Sequence, residues 1–187
     1  MNSLLDSVQA AKSRVTSLEG RAVWAGCAAA GSGWLLLRLI PQLELGLFAR
    51  GAAWLAGFFT GAPILRVEEG WMLAGSGQPV VITTACSATG YFLIVATLVS
   101  WQLARHGKSP GRAAVTGFCA ALPLAILLNA LRVVTVTQAH RWLIPRLPEA
   151  YGPFLHMLTG AAIFLPALIT LNLLLEIHGR PRTSVRS

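Results

Sequence analysis

Four apolar runs dominate the chain: Ala22 to Ile40, Cys86 to Leu103, Ala113 to Val136 and Pro153 to Ile177. Each is close to the roughly 20 residues that an α-helix needs to cross the hydrocarbon core of a bilayer. Backbone in that core must satisfy its own hydrogen bonds, which leaves helices as the structure open to runs of this length. The balance of residue types agrees. Hydrophobic residues make up 55% of the chain and charged residues 12%, with a mean hydropathy of +0.62. A soluble domain carries about a quarter charged residues. The expected fold class is an all-α, polytopic integral membrane helical bundle, folded as a single membrane-embedded domain over residues 1–187.

The net charge of +8 could suggest a nucleic-acid partner, but the basic residues do not gather on one face. They fill the gaps between the apolar runs, so the lipid bilayer is the expected partner and nucleic acid is not. Lys12, Arg14 and Arg21 lie in the head, Arg105, Lys108 and Arg112 in the 105–112 loop, and Arg180, Arg182 and Arg186 in the tail. Placing all three groups in the cytoplasm requires an even number of spans, and four spans do so. Residues 1–20 are expected as an amphipathic or loose segment, too polar for a cleavable leader, and residues 179–187 as a basic tail. The stretch 43–65 is ambiguous between a span and an interfacial or re-entrant helix. Residues 67–84 read as a small extracytoplasmic β-hairpin. Its arms would be Trp71-Met72-Leu73 and Val80-Val81-Ile82, and its turn Gly75-Ser76-Gly77. Thr137 to Gly152 reads as a polar loop.

Three cysteines show neither paired nor metal-like spacing. Cys27 and Cys119 lie inside apolar runs and are expected to behave as small buried hydrophobes. Cys86 differs. It follows an extended run, flanked by Thr84 and Ser87, and opens the second apolar run. The free N–H groups and positive dipole end of a helix start favour a thiolate. Arg132 lies near the outer end of the third run, where it either snorkels or is paired. Asn129, three residues earlier, shares its helical face. His156 opens the last run, with Gly160 one turn on as a smooth patch for a neighbouring helix. Alone, His156 would read as an interfacial histidine, and His106, His140 and His178 as loop or tail residues. Together, Cys86, Arg132 and His156 each fall at the same outer end of a run. If the runs pack, they could form a thiol site in which His156 moves the proton and Arg132 holds developing negative charge. A non-catalytic membrane scaffold is the competing reading.

Ala85-Cys86-Ser87…Gly90, Asn129-x-x-Arg132-Val133 and His156-x-x-x-Gly160, in that order and rough spacing, resemble the exosortase/archaeosortase family of membrane cysteine transpeptidases. The short chain resembles the compact exosortase K type more than the longer eight-span members. The resemblance covers roughly residues 45–175. It implies Cys86 as nucleophile with Arg132 and His156 as catalytic partners, supported by Asn129, Thr84 and Ser87. No cofactor or metal is implied. The implied substrates are exported proteins anchored by a C-terminal signal of short motif, hydrophobic helix and basic cluster. They would be cleaved through a Cys thioester on the extracytoplasmic side of the bacterial cytoplasmic membrane. The acceptor nucleophile is not legible. The family often has Cys-Ser-Gly, whereas here Ser87-Ala88-Thr89-Gly90 reads as an insertion before the glycine.

Overall fold

The computed structural model of the chain describes residues 2–40, 42–74, 79–142 and 151–179. It is a helical membrane protein carrying one small sheet. Helix α1 spans Asn2–Leu39. The first twenty residues, expected as a separate segment, are continuous with it, because they contain no proline and no glycine before Gly20. At 38 residues α1 is about 57 Å long, well beyond the hydrocarbon thickness. Its part Glu19–Leu39 is long and apolar enough to cross a membrane, as are Pro110–Ala139 and His156–Ile177.

The ambiguous stretch 43–65 is not one straight helix. It opens with a π-helical segment, Glu44–Ala49, continues as α2 (Arg50–Thr60), and stops at Gly61 in the left-handed conformation. Three strands follow: β1 (Ile64–Val67), β2 (Gly70–Leu73) and β3 (Val80–Ile82). The sheet is antiparallel in the order β1-β2-β3, with Val67 opposite Gly70 and Leu73 opposite Val80. The two expected arms thus pair as β2 and β3. A strand that the sequence reading left out, β1, joins them through a tight turn at Glu68-Glu69. The expected turn at Gly75-Ser76-Gly77 lies outside the described residues.

Helix α3 (Thr89–Arg105), expected as the second of four spans, has 17 residues because it starts three residues late, and among the described residues three other helices, not this one, are long and apolar enough to cross a membrane; it packs against α1, α4 and α5. A short turn leads to α4 (Pro110–Trp142). This helix runs six residues into the expected loop Thr137–Gly152, since no proline or glycine lies between Thr137 and Pro145. The rest of that loop lies outside the described residues, except Tyr151 and Gly152. Helix α5 spans Gly152–Gly179.

Three apolar clusters organise the packing, the smallest being Ala22 and Ala25 of α1 against Ala104 and Ala113. Phe48, Phe92, Val95, Ala96, Ala121 and Ala125 join α3, α4 and the π-helical segment, with the Phe48 and Phe92 rings edge-on at 5.2 Å. Ala49, Ala53, Ala56, Leu73, Ile82 and Val133 join α2 and the sheet to α4. Alanine dominates the contacts of α1, where Ala22, Ala25 and Ala29 are fully buried. Between helices in lipid, close approach of small residues replaces the hydrophobic driving force available in water. Large side chains such as Trp24, Ile94, Leu131, Met157 and Ile177 point outward, as lipid-covered surfaces require. Cys27 and Cys119, expected to be buried, are also exposed on helix surfaces. Lipid rather than protein covers such positions, so an apolar run does not separate the two environments.

Candidate functional site

Cys86 ends a single 3-10 turn, Thr84–Cys86, that follows β3 through the extended residue Thr83. The Cys86 N–H donates to the Thr83 carbonyl and the Ser87 N–H to the Thr84 carbonyl, both at 3.0 Å. The sequence places Cys86 in the first turn of the second apolar helix. The structure starts that helix three residues later, at Thr89. The cause is Ala88, whose φ of 57° swings the chain out of the 3-10 turn before α3 can begin. Counting from Cys86, Ala88 occupies the position that Cys-Ser-Gly gives to glycine.

Glu44 braces this turn from across the fold. Its carboxylate accepts hydrogen bonds from the Thr89 hydroxyl at 2.7 Å and the Ser87 hydroxyl at 3.4 Å. The two hydroxyls lie 3.2 Å apart. A carboxylate at the start of α3 also suits the positive end of that helix. The π-helical segment presents Glu44, and it is fixed in turn to the sheet, where Trp71 Nε1 donates to the Leu45 carbonyl at 3.1 Å. Such π-turns recur at functional sites because they re-aim side chains. Sequence reasoning missed Glu44: an acidic residue 42 positions before the cysteine has no motif to mark it.

On the other side, α4 and α5 supply the partners. Asn129 is fully buried and its Nδ2 donates to the Cys86 carbonyl. The Asn129 Oδ1 and the Arg132 Nε are buried without a hydrogen-bond partner among the described residues. Arg132 lies against Gly160, where an added Cβ would stand 3.2 Å from its Nε, and over the Phe164 ring at 5.8 Å. Phe164 in turn stacks on Tyr91 at 4.6 Å. His156, one turn before Gly160, brings its Nε2 to 3.6 Å from the Cys86 Sγ. A thiol–imidazole contact at that range is a usable proton path.

Cys86, Asn129, Arg132 and His156 share one cavity of about 260 Å³, whose remaining wall is Pro79, Val80, Val81, Ile82, Val133 and Val136. Two expected supporting residues are not in that wall. Thr84 is exposed and contributes its carbonyl to the turn, while Ser87 is buried and faces Glu44. Thus Cys86 from the turn before α3, Arg132 from within α4 and His156 from the start of α5 meet in one cavity, with Asn129 holding the backbone of the cysteine. The arrangement offers a thiol, an imidazole within proton-transfer range and a guanidinium, in a pocket lined otherwise by the Asn129 amide and apolar groups.

A sequence model described as transmembrane exosortase matches residues 13–173. No match was found among curated proteins or solved structures. The matched span runs from within α1 to within α5 and contains every residue of the cavity, and on it the chain belongs to the transmembrane exosortases, a family of membrane protein-sorting transpeptidases.

Proposed function

We propose that the chain is a cysteine peptidase and transpeptidase that cleaves the C-terminal sorting signal of membrane-anchored exported proteins through a thioester on Cys86. The single observation that carries this reading is the 3.6 Å approach of the Cys86 Sγ to the His156 Nε2 inside a cavity that also holds Arg132. His156 takes the thiol proton as Sγ attacks the scissile carbonyl. Arg132 faces the oxyanion of the tetrahedral intermediate, where a fixed cation in an apolar pocket stabilises charge most strongly. Collapse breaks the C–N bond, and His156 returns the proton to the leaving amine. An amine or water, deprotonated by His156, then attacks the thioester and frees the thiol.

The reading includes a location: a multi-pass protein of the bacterial cytoplasmic membrane with the cavity on the extracytoplasmic side. Arg105, Lys108 and Arg112 lie around the α3–α4 turn, at the opposite end of α3 from Cys86. Basic residues concentrate on the cytoplasmic side. The substrate's own hydrophobic helix would hold its scissile bond at the depth of the thiol, supplying much of the positioning.

The test is mass spectrometry of the new C-terminus of a co-expressed exported protein bearing such a signal. Native protein produces the cleaved form, and Cys86→Ala and Cys86→Ser do not, because alanine carries no nucleophile and a hydroxyl is far less acidic than the thiol around which the site is built. Processing at the native rate by either variant would overturn the cysteine mechanism.

A further inference from the structure

β3 is an edge strand. It pairs with β2 through Val80, Val81 and Ile82, and among the described residues no strand pairs with its other edge. The two edges of the sheet differ in chemistry. β1 carries Arg66 and leads into Glu68-Glu69, the kind of charge that blunts an edge against further pairing. β3 carries no charge at all. Its position is the second observation. Four consecutive residues, Pro79 to Ile82, line the cavity that holds Cys86, His156 and Arg132. Arg132, Val133 and Val136 of α4 line it as well, so the cavity has a strand on one part of its wall and a helix on another. Only Thr83, Thr84 and Ala85 separate β3 from the thiol, and Thr83 continues the extended conformation with φ −100° and ψ −178°.

We propose that β3 is the acceptor strand for the substrate. An extended segment of the exported protein, just outside its hydrophobic helix, adds to the free edge as a fourth strand and delivers its scissile carbonyl to Cys86. The proposal deepens the reading of Cys86 as a nucleophile and rests on it. Added strands lie about 4.8 Å from their neighbour and advance about 3.3 Å per residue. Three residues of β3 and the extended Thr83 therefore offer a track of roughly 13 Å that ends beside the nucleophile. Main-chain hydrogen bonds supply the affinity in this mode of recognition, and side-chain pockets add selectivity only at alternate positions. An edge without charged side chains suits a backbone-reading role. A strand so placed also holds the peptide extended, with its carbonyls accessible to attack.

The experiment uses the full chain in lipid nanodiscs with Cys27→Ala and Cys119→Ala, so that Cys86 is the single thiol. The probes are acetyl-Ala-Val-Ala-vinyl sulfone, its three singly N-methylated analogues, and methyl vinyl sulfone, which has no peptide backbone. Each alkylates a thiol by adding the sulfur to the vinyl carbon, the thiol proton passing to the carbon beside the sulfone. Rates at Cys86 are divided by rates with glutathione. Strand addition predicts that the peptide probe outpaces methyl vinyl sulfone at least tenfold. It also predicts that N-methylation removes about tenfold at alternate residues and little at the residue between, since every second residue turns its N–H toward the neighbouring strand. No advantage for the peptide, or equal loss at every position, overturns the proposal. If neither probe reacts at Cys86 while both react with glutathione, the nucleophile reading falls first and this proposal falls with it.

Discussion

Ala88 is the residue whose own conformation costs most. A left-handed φ of 57° forces an alanine Cβ toward its carbonyl, a strain of about 1–2 kcal/mol that glycine does not carry. Ala88→Gly should therefore stabilise the folded chain by about 1 kcal/mol, read as a rise in thermal midpoint in detergent. An unchanged or lower midpoint would show that the turn is not strained. Glu44 acts on the same turn from the other side. Glu44→Ala removes the acceptor for the Thr89 and Ser87 hydroxyls and should lower turnover about tenfold or more, while Glu44→Gln, which keeps an acceptor oxygen, should restore most of it. Equal loss in both variants would point to the carboxylate charge instead of its hydrogen bonds. The contrast in legibility is physical. Cys86, Arg132 and His156 stood out because a thiol, a cation and an imidazole are costly or rare beside apolar runs. Glu44 sits among ordinary interfacial residues, and its importance exists only once the π-helical segment folds back on the start of α3.

Among the elements, apolar run length located α1, α3, α4 and α5, because apolar length is the dominant demand of the bilayer. Their ends were misplaced wherever a helix continues beyond the bilayer, as α1 does before Glu19 and α4 does after Ala139, since hydropathy marks the membrane and not the helix. β1 escaped notice because Ile64-Leu65-Arg66-Val67 continues an apolar stretch and only its pairing with β2 identifies it. The crossing of α3 and α4 gives an element-scale test. A Cβ at Gly117 would stand 2.2 Å from the Ser100 Oγ and 2.7 Å from the Ala96 carbonyl oxygen. The latter is backbone and cannot rotate away. Gly117→Val should push the helices apart and destabilise the chain by several kcal/mol, within the range of severe overpacking. Loss of the monodisperse peak on size exclusion, in detergent that preserves the native chain, would report it. A normal peak and midpoint would show that the helices cross elsewhere.

At the scale of the whole molecule, the weakly held element is α5, yet it carries His156. Its apolar surface faces outward over much of its length, with Leu165, Ile169, Leu173 and Ile177 exposed. In lipid such a surface gains nothing by docking, so the few specific contacts must set the depth and rotation of the helix. Near the cavity these are the Tyr91–Phe164 stack and the seat of Arg132 on Gly160. Towards the other end of the bundle, Gln102 Nε2 of α3 donates to Asn172 Oδ1 at 3.1 Å, and Asn172 Nδ2 donates to Glu176 at 3.5 Å. Gln102 is 1% exposed and its Oε1 has no partner among the described residues, so losing Asn172 would leave both ends of its amide unmatched. Interhelical hydrogen bonds of this kind contribute about 0.6–1.7 kcal/mol in membranes. Asn172→Leu should accordingly let α5 turn or slide and should lower turnover about three- to tenfold, although the substitution lies about 24 Å along the helix from His156. A readout of register separates this from a general loss of folding. In a chain lacking Cys27 and Cys119, His156→Cys should form a disulfide with Cys86 on mild oxidation, and Asn172→Leu should reduce its yield by a similar factor at a temperature well below the midpoint, which itself falls by only a few degrees. An unaltered disulfide yield would mean that the contacts around Phe164 alone hold the catalytic end of α5 in place.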